Sequence, residues 1–195
     1  MARTINLKSI ATKVNNSKKF QKGLDRRVLS KIDIEKQKFL AEFQAHPVTQ
    51  EIDGGVSARN SSGTLGGYGN LFTFIGFTAS SNPTSIIKNI IRSISFRKTK
   101  TSFTKSKILR NFAIRVPTKT DIYALTPMPW EGGSWAEGVE EGLSGFSYYM
   151  YKKFGEGRSG YGLQSDHEIR KAIFTPKSYI TELLNNFRKN VRSIK

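Results

Sequence analysis

The chain contains no cysteine. That one absence excludes disulfide scaffolds, thiolate metal sites and cysteine nucleophiles together, and it fits a reducing or redox-indifferent compartment. Histidine is nearly as scarce, with only His46 and His167 in 195 residues. No His-Glu-x-x-His or Gly-x-Ser-x-Gly pattern surrounds either one, so the sequence offers no metal, cofactor or catalytic-triad constellation. An enzyme is not expected. Long apolar runs are missing as well: none approaches the roughly 20 residues that span a bilayer. The opening stretch MARTINLKSIATKVNNSKKF has no apolar signal core. A soluble protein with no membrane partner and no cleaved leader is the expectation.

Acid is absent from one long region. Residues 54–120 carry 11 Lys and Arg and no Asp or Glu, within a chain of net charge +17. Residues 121–169 reverse the sign, with 8 acidic and 3 basic residues, and 170–195 are basic again. Such asymmetry points to nucleic acid or another anionic surface. It also suits copies of one chain that join head to tail, each sign meeting the other.

Glycine is concentrated in Ser61–Phe77, SSGTLGGYGNLFTFIGF. A phosphate-binding loop needs glycines at set offsets and a lysine within reach, and this stretch has neither. Gly63, Gly66, Gly67 and Gly69 would instead let a loop turn tightly, with Leu71, Phe72, Phe74 and Ile75 anchoring it to a neighbouring chain or ring.

Along the chain, residues 1–17 read as a basic assembly arm with too few apolar groups to fold alone. Residues 18–195 read as a single α+β domain interrupted by a loop insertion at 46–81. Phe20, Leu24, Val28 and Ile32, continued by Phe39, Leu40 and Phe43, predict a long helix over 18–44 that stops before Pro47. Asn82–Pro83 followed by Ile86, Ile87, Ile90, Ile91 and Ile94 predicts a second, shorter helix. The period then changes to two. Strands are expected over Ile108–Val116 and Asp121–Thr126, joined by a third over Ser95–Thr104, with one apolar and one basic face. The aromatic block Phe146–Phe154 suggests a further strand or helix. Thr175–Pro176 is a second cap-plus-proline signal, opening a helix lined by Ile180, Leu183, Leu184, Phe187 and Val191. The N- and C-terminal helices are thus expected to pack on a small antiparallel sheet.

Two charged groups are candidate contact surfaces. Glu131, Glu137, Glu140 and Glu141 form an acidic side, the last three sharing one helical face at i, i+3, i+4. Arg97, Lys98, Lys100, Lys105, Lys107, Arg110 and Arg115 form a basic side that would meet a neighbouring subunit or line a DNA channel. Phe96, Phe103 and Phe112 are interleaved with them, a pattern that either stacks bases or simply puts rings inward and charges outward.

The stretch WEGGSWAEGVEEGL at 130–143, following the strands and preceding the last helix, resembles the tail-completion, or neck, proteins of long-tailed bacteriophages, the minor tail protein Z-like family. The resemblance rests on the order of elements. It takes in a long first helix, a short helix closing on Ser93–Ile94, a strand hairpin, the aromatic-then-Val-Glu-x-Gly motif at Trp135, Val139, Glu140 and Gly142, and a C-terminal helix. It covers roughly residues 18–44 and 83–192. The 46–81 insertion and the enlarged region around Phe146–Phe154 depart from the compact family pattern. The resemblance implies a hexameric ring around the DNA channel at the head-tail junction. Its other partners would be neck, head-closure or tail proteins and, without sequence preference, the packaged DNA. The basic composition alone supports a different expectation, a cellular sequence-nonspecific nucleic-acid-binding protein.

Overall fold

The computed structural model describes residues 12–14, 17–66, 69–104, 107–129, 132–142 and 174–193, with backbone only at 98, 100–104 and 107–110. The described part is mostly helical, with one two-stranded antiparallel sheet. Most of the basic arm and the whole Phe146–Phe154 block lie outside the described residues.

The long helix α1 spans Lys18–Ala45. Its apolar stripe is used unevenly: Ile32, Phe39 and Phe43 are buried, whereas Phe20 is 44 % exposed. The C-terminal half therefore packs into the core while Phe20, Leu29 and Ile34 remain outside it. Pro47 ends the helix by forcing His46 into an extended conformation. His46 then caps the next helix, α2 (Pro47–Asp53), accepting a hydrogen bond from Val48 N at 3.3 Å. Helix α3 (Leu71–Ile75) starts at Asn70, whose side chain accepts from Thr73 N, and stops at Gly76 with φ of 87°. Phe77 N reaches back to Phe72 O at 3.1 Å, which closes the turn in the way a left-handed glycine permits.

Helix α4 (Thr84–Ser93) follows the isoleucine pattern, with Ile87, Ile91 and Ile94 buried. Packing overrides the poor helical propensity of five β-branched residues.

The strands differ from the sequence expectation. Strand β1 (Ser95–Thr104) pairs with β2 (Lys107–Arg115), and Asp121–Thr126 joins no sheet. That segment belongs to α5 (Lys119–Ala124), because Thr118 and Asp121 form a reciprocal capping box. The PTKT segment is thus a helix start instead of a turn between strands. Nor do the terminal helices lie on the sheet. They pack on each other, α1 against α7 (Ile180–Arg192), with Phe39 stacked on Phe187 at 4.8 Å and Phe43 on Tyr179 at 5.9 Å. Only the root of the hairpin reaches the core, through Ile94, Ile114 and Val116.

The last helix begins later than its proline signal suggests, at Ile180 in place of Thr175–Pro176. Its start is set by a tertiary contact from α6 (Trp135–Glu141).

Candidate assembly interface

The acidic helix α6 starts at Ser134, whose hydroxyl accepts from Glu137 N, and ends at Gly142. Its three glutamates do three different jobs. Glu140 is half-buried and turned inward. Its carboxylate accepts from Tyr179 N at 2.9 Å, Thr181 N at 2.7 Å and Thr181 Oγ1 at 2.8 Å, and from the Tyr123 hydroxyl. Tyr179, the N-cap position of α7, has no side chain able to cap a helix, and Glu140 does this across space. Burial alone would raise the Glu140 pKa, but these hydrogen bonds outweigh it and hold the carboxyl below its ordinary value. Burial and the bond to Glu140 in turn push the Tyr123 phenol up.

Glu141 points outward and pairs with Lys119 at 3.2 Å, both side chains more than half exposed. Glu137 is half-exposed, with no ion pair among the described residues. Glu131 lies outside the described residues. The expected acidic interface is therefore reduced to Glu137 and Glu141, because Glu140 serves the chain's own fold.

The glycine stretch is corrected in the same direction. Leu71, Phe72 and Ile75 are buried in the chain's own core, and Phe74 stacks on Phe174 at 5.7 Å. They are anchors to the subunit's interior in place of an exposed grip on a neighbour. What holds the loop is a residue the sequence did not single out. Glu51 is fully buried, and its two carboxylate oxygens accept from Ser62 N at 2.8 Å and Leu71 N at 2.7 Å, one on each side of the glycines. Asn70 adds bonds to Val56 O and Ala58 O, and Thr175 N donates to Thr64 O at 2.8 Å. Gly63, Gly66 and Gly69 all have positive φ, so the loop does turn tightly where the sequence suggested. Gly67 is not described. One signal could have found Glu51: it is a lone carboxylate between Val48 and Ile52 in an otherwise apolar helix face.

The basic side is divided between two faces. Cross-strand partners run Ser95 with Arg115, Phe96 with Ile114, Arg97 with Ala113 and Lys98 with Phe112, then resume at Thr101 with Arg110, Phe103 with Ile108 and Thr104 with Lys107. Three steps along β1 match two along β2 between Lys98 and Thr101, which is a bulge of one residue. Directly paired residues share a face and alternate positions change face. Positions 96, 103, 108, 112 and 114 therefore fall together, and so do 98 and 110. Arg97, Lys107 and Arg115 take the other face, Lys100 sits in the bulge and Lys105 is not described. The sheet thus has an apolar face that carries two cations and a polar face that carries three, in place of one apolar and one basic face. Arg97 and Arg115 are exposed.

His46 is stacked against Tyr179 at 4.8 Å, and burial lowers its pKa. His167 is not described. Among the described residues no group of three or more His, Cys, Asp or Glu could hold a metal ion, and no helix is long and apolar enough to cross a membrane.

No protein-family model, curated protein or solved structure matches the chain.

Proposed function

We propose that the chain is a structural virion protein of a tailed bacteriophage, a ring-forming neck or tail-completion component that surrounds the DNA channel at the head-tail junction. The observation that carries this reading is the order of elements. A long first helix, a short isoleucine helix closing on Ser93–Ile94, a hairpin, a short helix bearing Val139 and Glu140 and a C-terminal helix follow one another along the chain. That is the sequence of parts on which the resemblance to tail-completion proteins rests.

In this reading the chain is assembled in the bacterial cytoplasm and resides in the virion. Copies form a closed ring, a hexamer by the resemblance, that meets other neck, head-closure or tail proteins. The hairpin's polar face, with Arg97, Lys107 and Arg115, touches the packaged DNA without reading it. Heterologous contacts between copies close the ring, as a basic and an acidic surface on one chain allow.

Negative-stain electron microscopy and native mass spectrometry of the purified chain test it. A hollow ring of one stoichiometry is expected. A monomer at all concentrations that binds one DNA sequence tightly at physiological salt would favour the cellular nucleic-acid-binding reading, which rests on the acid-free hairpin. Contact through phosphates alone is sequence-blind and falls steeply with salt. The position of the coding sequence is a second check, with head and tail genes on both sides expected.

A further inference from the structure

The β1–β2 hairpin extends roughly 30 Å at about 3.3 Å per residue, yet among the described elements neither strand packs extensively against anything but the other. At its root one face is covered by the chain's own core: Ile114 packs against it, and Phe96 and Phe112 are half-buried with ring centroids 6.2 Å apart. The register carries that same face outward through positions 98, 103, 108 and 110, past the last core residues. An isolated two-stranded ribbon is marginal in water, so an apolar face continued beyond the core calls for a cover.

Resting on the ring reading, we propose that this face of the hairpin is the arm by which one copy grips the next. The apolar positions lie on the neighbour's surface, and Lys98 and Arg110 meet Glu137 and Glu141 on α6 of that second copy.

Charge complementarity selects the occupant. The hairpin holds no carboxylate, and the chain's outward-facing acids include Glu137 and Glu141, whose neighbour Glu140 is engaged internally. A phosphate backbone would satisfy the cations but leave Phe103 and Ile108 uncovered, whereas a protein surface satisfies both. The opposite face, with Arg97, Lys107 and Arg115, is left for DNA. The contact is head to tail, since arm and acidic helix are different surfaces, and it repeats around a ring.

The test uses the full-length chain and three double variants, Glu137→Lys/Glu141→Lys, Lys98→Glu/Arg110→Glu and Arg97→Glu/Lys107→Glu. Each is followed by native mass spectrometry at fixed salt and by binding to a short random-sequence DNA duplex, with circular dichroism to verify folding. Loss of the oligomer is expected in the first two, because like charges then face each other across the contact. Mixing those two variants should restore an even-numbered ring, since each supplies the sign that the other lacks. The third should keep the ring and lose the duplex. Rings that survive in either of the first two, or that do not return on mixing, would overturn the arm and leave the ring reading standing. Intact rings with duplex binding lost from Lys98→Glu/Arg110→Glu would assign this face to DNA. If the unaltered chain forms no oligomer at any concentration, both readings fall.

Discussion

The helical body and the hairpin treat charge in opposite ways. In the body, carboxylates are captured: Glu51 latches the glycine loop, Glu140 caps α7, and Asp53 accepts from both Thr84 and Lys88. The hairpin contains no carboxylate at all, and its seven cations lie on both faces or in the bulge and turn. A charge that is enclosed and hydrogen-bonded serves the fold, and its removal orphans its partners. A charge on an arm outside the core does little for the fold and is available to something else.

Four measurements sharpen or break that contrast. The largest effect belongs to packing in the body. Phe43→Ala removes a fully buried ring stacked on Tyr179 and should cost about 3–5 kcal/mol. Thermal unfolding followed by circular dichroism reads this as a large fall in Tm, at about 2–4 °C per kcal/mol for a chain of this size.

Next comes Glu51→Ala. It strands two buried backbone donors and should cost about 3 kcal/mol. It should also raise hydrogen exchange at Ser62 and Leu71, on the two sides of the glycine loop. Unchanged exchange there would show that the loop is held without the carboxylate.

The third effect appears on acidification, in two steps of the same sign. The folded pKa of His46 lies below its ordinary value, so its contribution is complete above about pH 6.5 and falls as the imidazole is forced to charge. Glu140 is likewise depressed, so its contribution holds above about pH 4.3 and is lost as pH falls through the lower folded pKa. Melting the chain across this range should show both declines. His46→Asn should flatten the first and Glu140→Gln the second.

The smallest effect is expected on the arm. Lys100→Gln should change stability by no more than about 0.5 kcal/mol, although it alters charge by the same single unit as Glu51→Ala. A cost comparable to that of Glu51 would mean that the hairpin's cations are part of the fold after all, and the contrast between the two regions would fail.

What was legible in the sequence is the local signal. The stripe from Leu24 to Phe43, the isoleucine repeat of α4 and the apolar face of α7 each follow one period over many residues, and each became a helix. What was not legible depends on partners far along the chain. Thr175–Pro176 looks like a helix start, but the donors at Tyr179 and Thr181 are met by Glu140, about forty residues away. Within its own heptapeptide Glu51 is an ordinary acidic residue, and only the fold makes it the hub of a loop. The Asp121 segment was misread because alternation over six residues fits a strand as well as a single helical turn, and the cap at Thr118 decided between them.

The bulge between Lys98 and Thr101 has a consequence for tolerated length changes. Phe96 and Phe103 are an odd number of positions apart, so a regular strand would place them on opposite sides. The extra residue restores their agreement. The hairpin therefore has a parity, like a reading frame with a period of two. Removing one residue from the bulge would invert every β1 position beyond it and exchange the two surfaces there, whereas removing one residue from each strand as a directly paired couple in the distal half would shorten the arm with the bulge retained. Among related chains, the arm should therefore vary in length by couples, and a single-residue change should occur only together with gain or loss of the bulge.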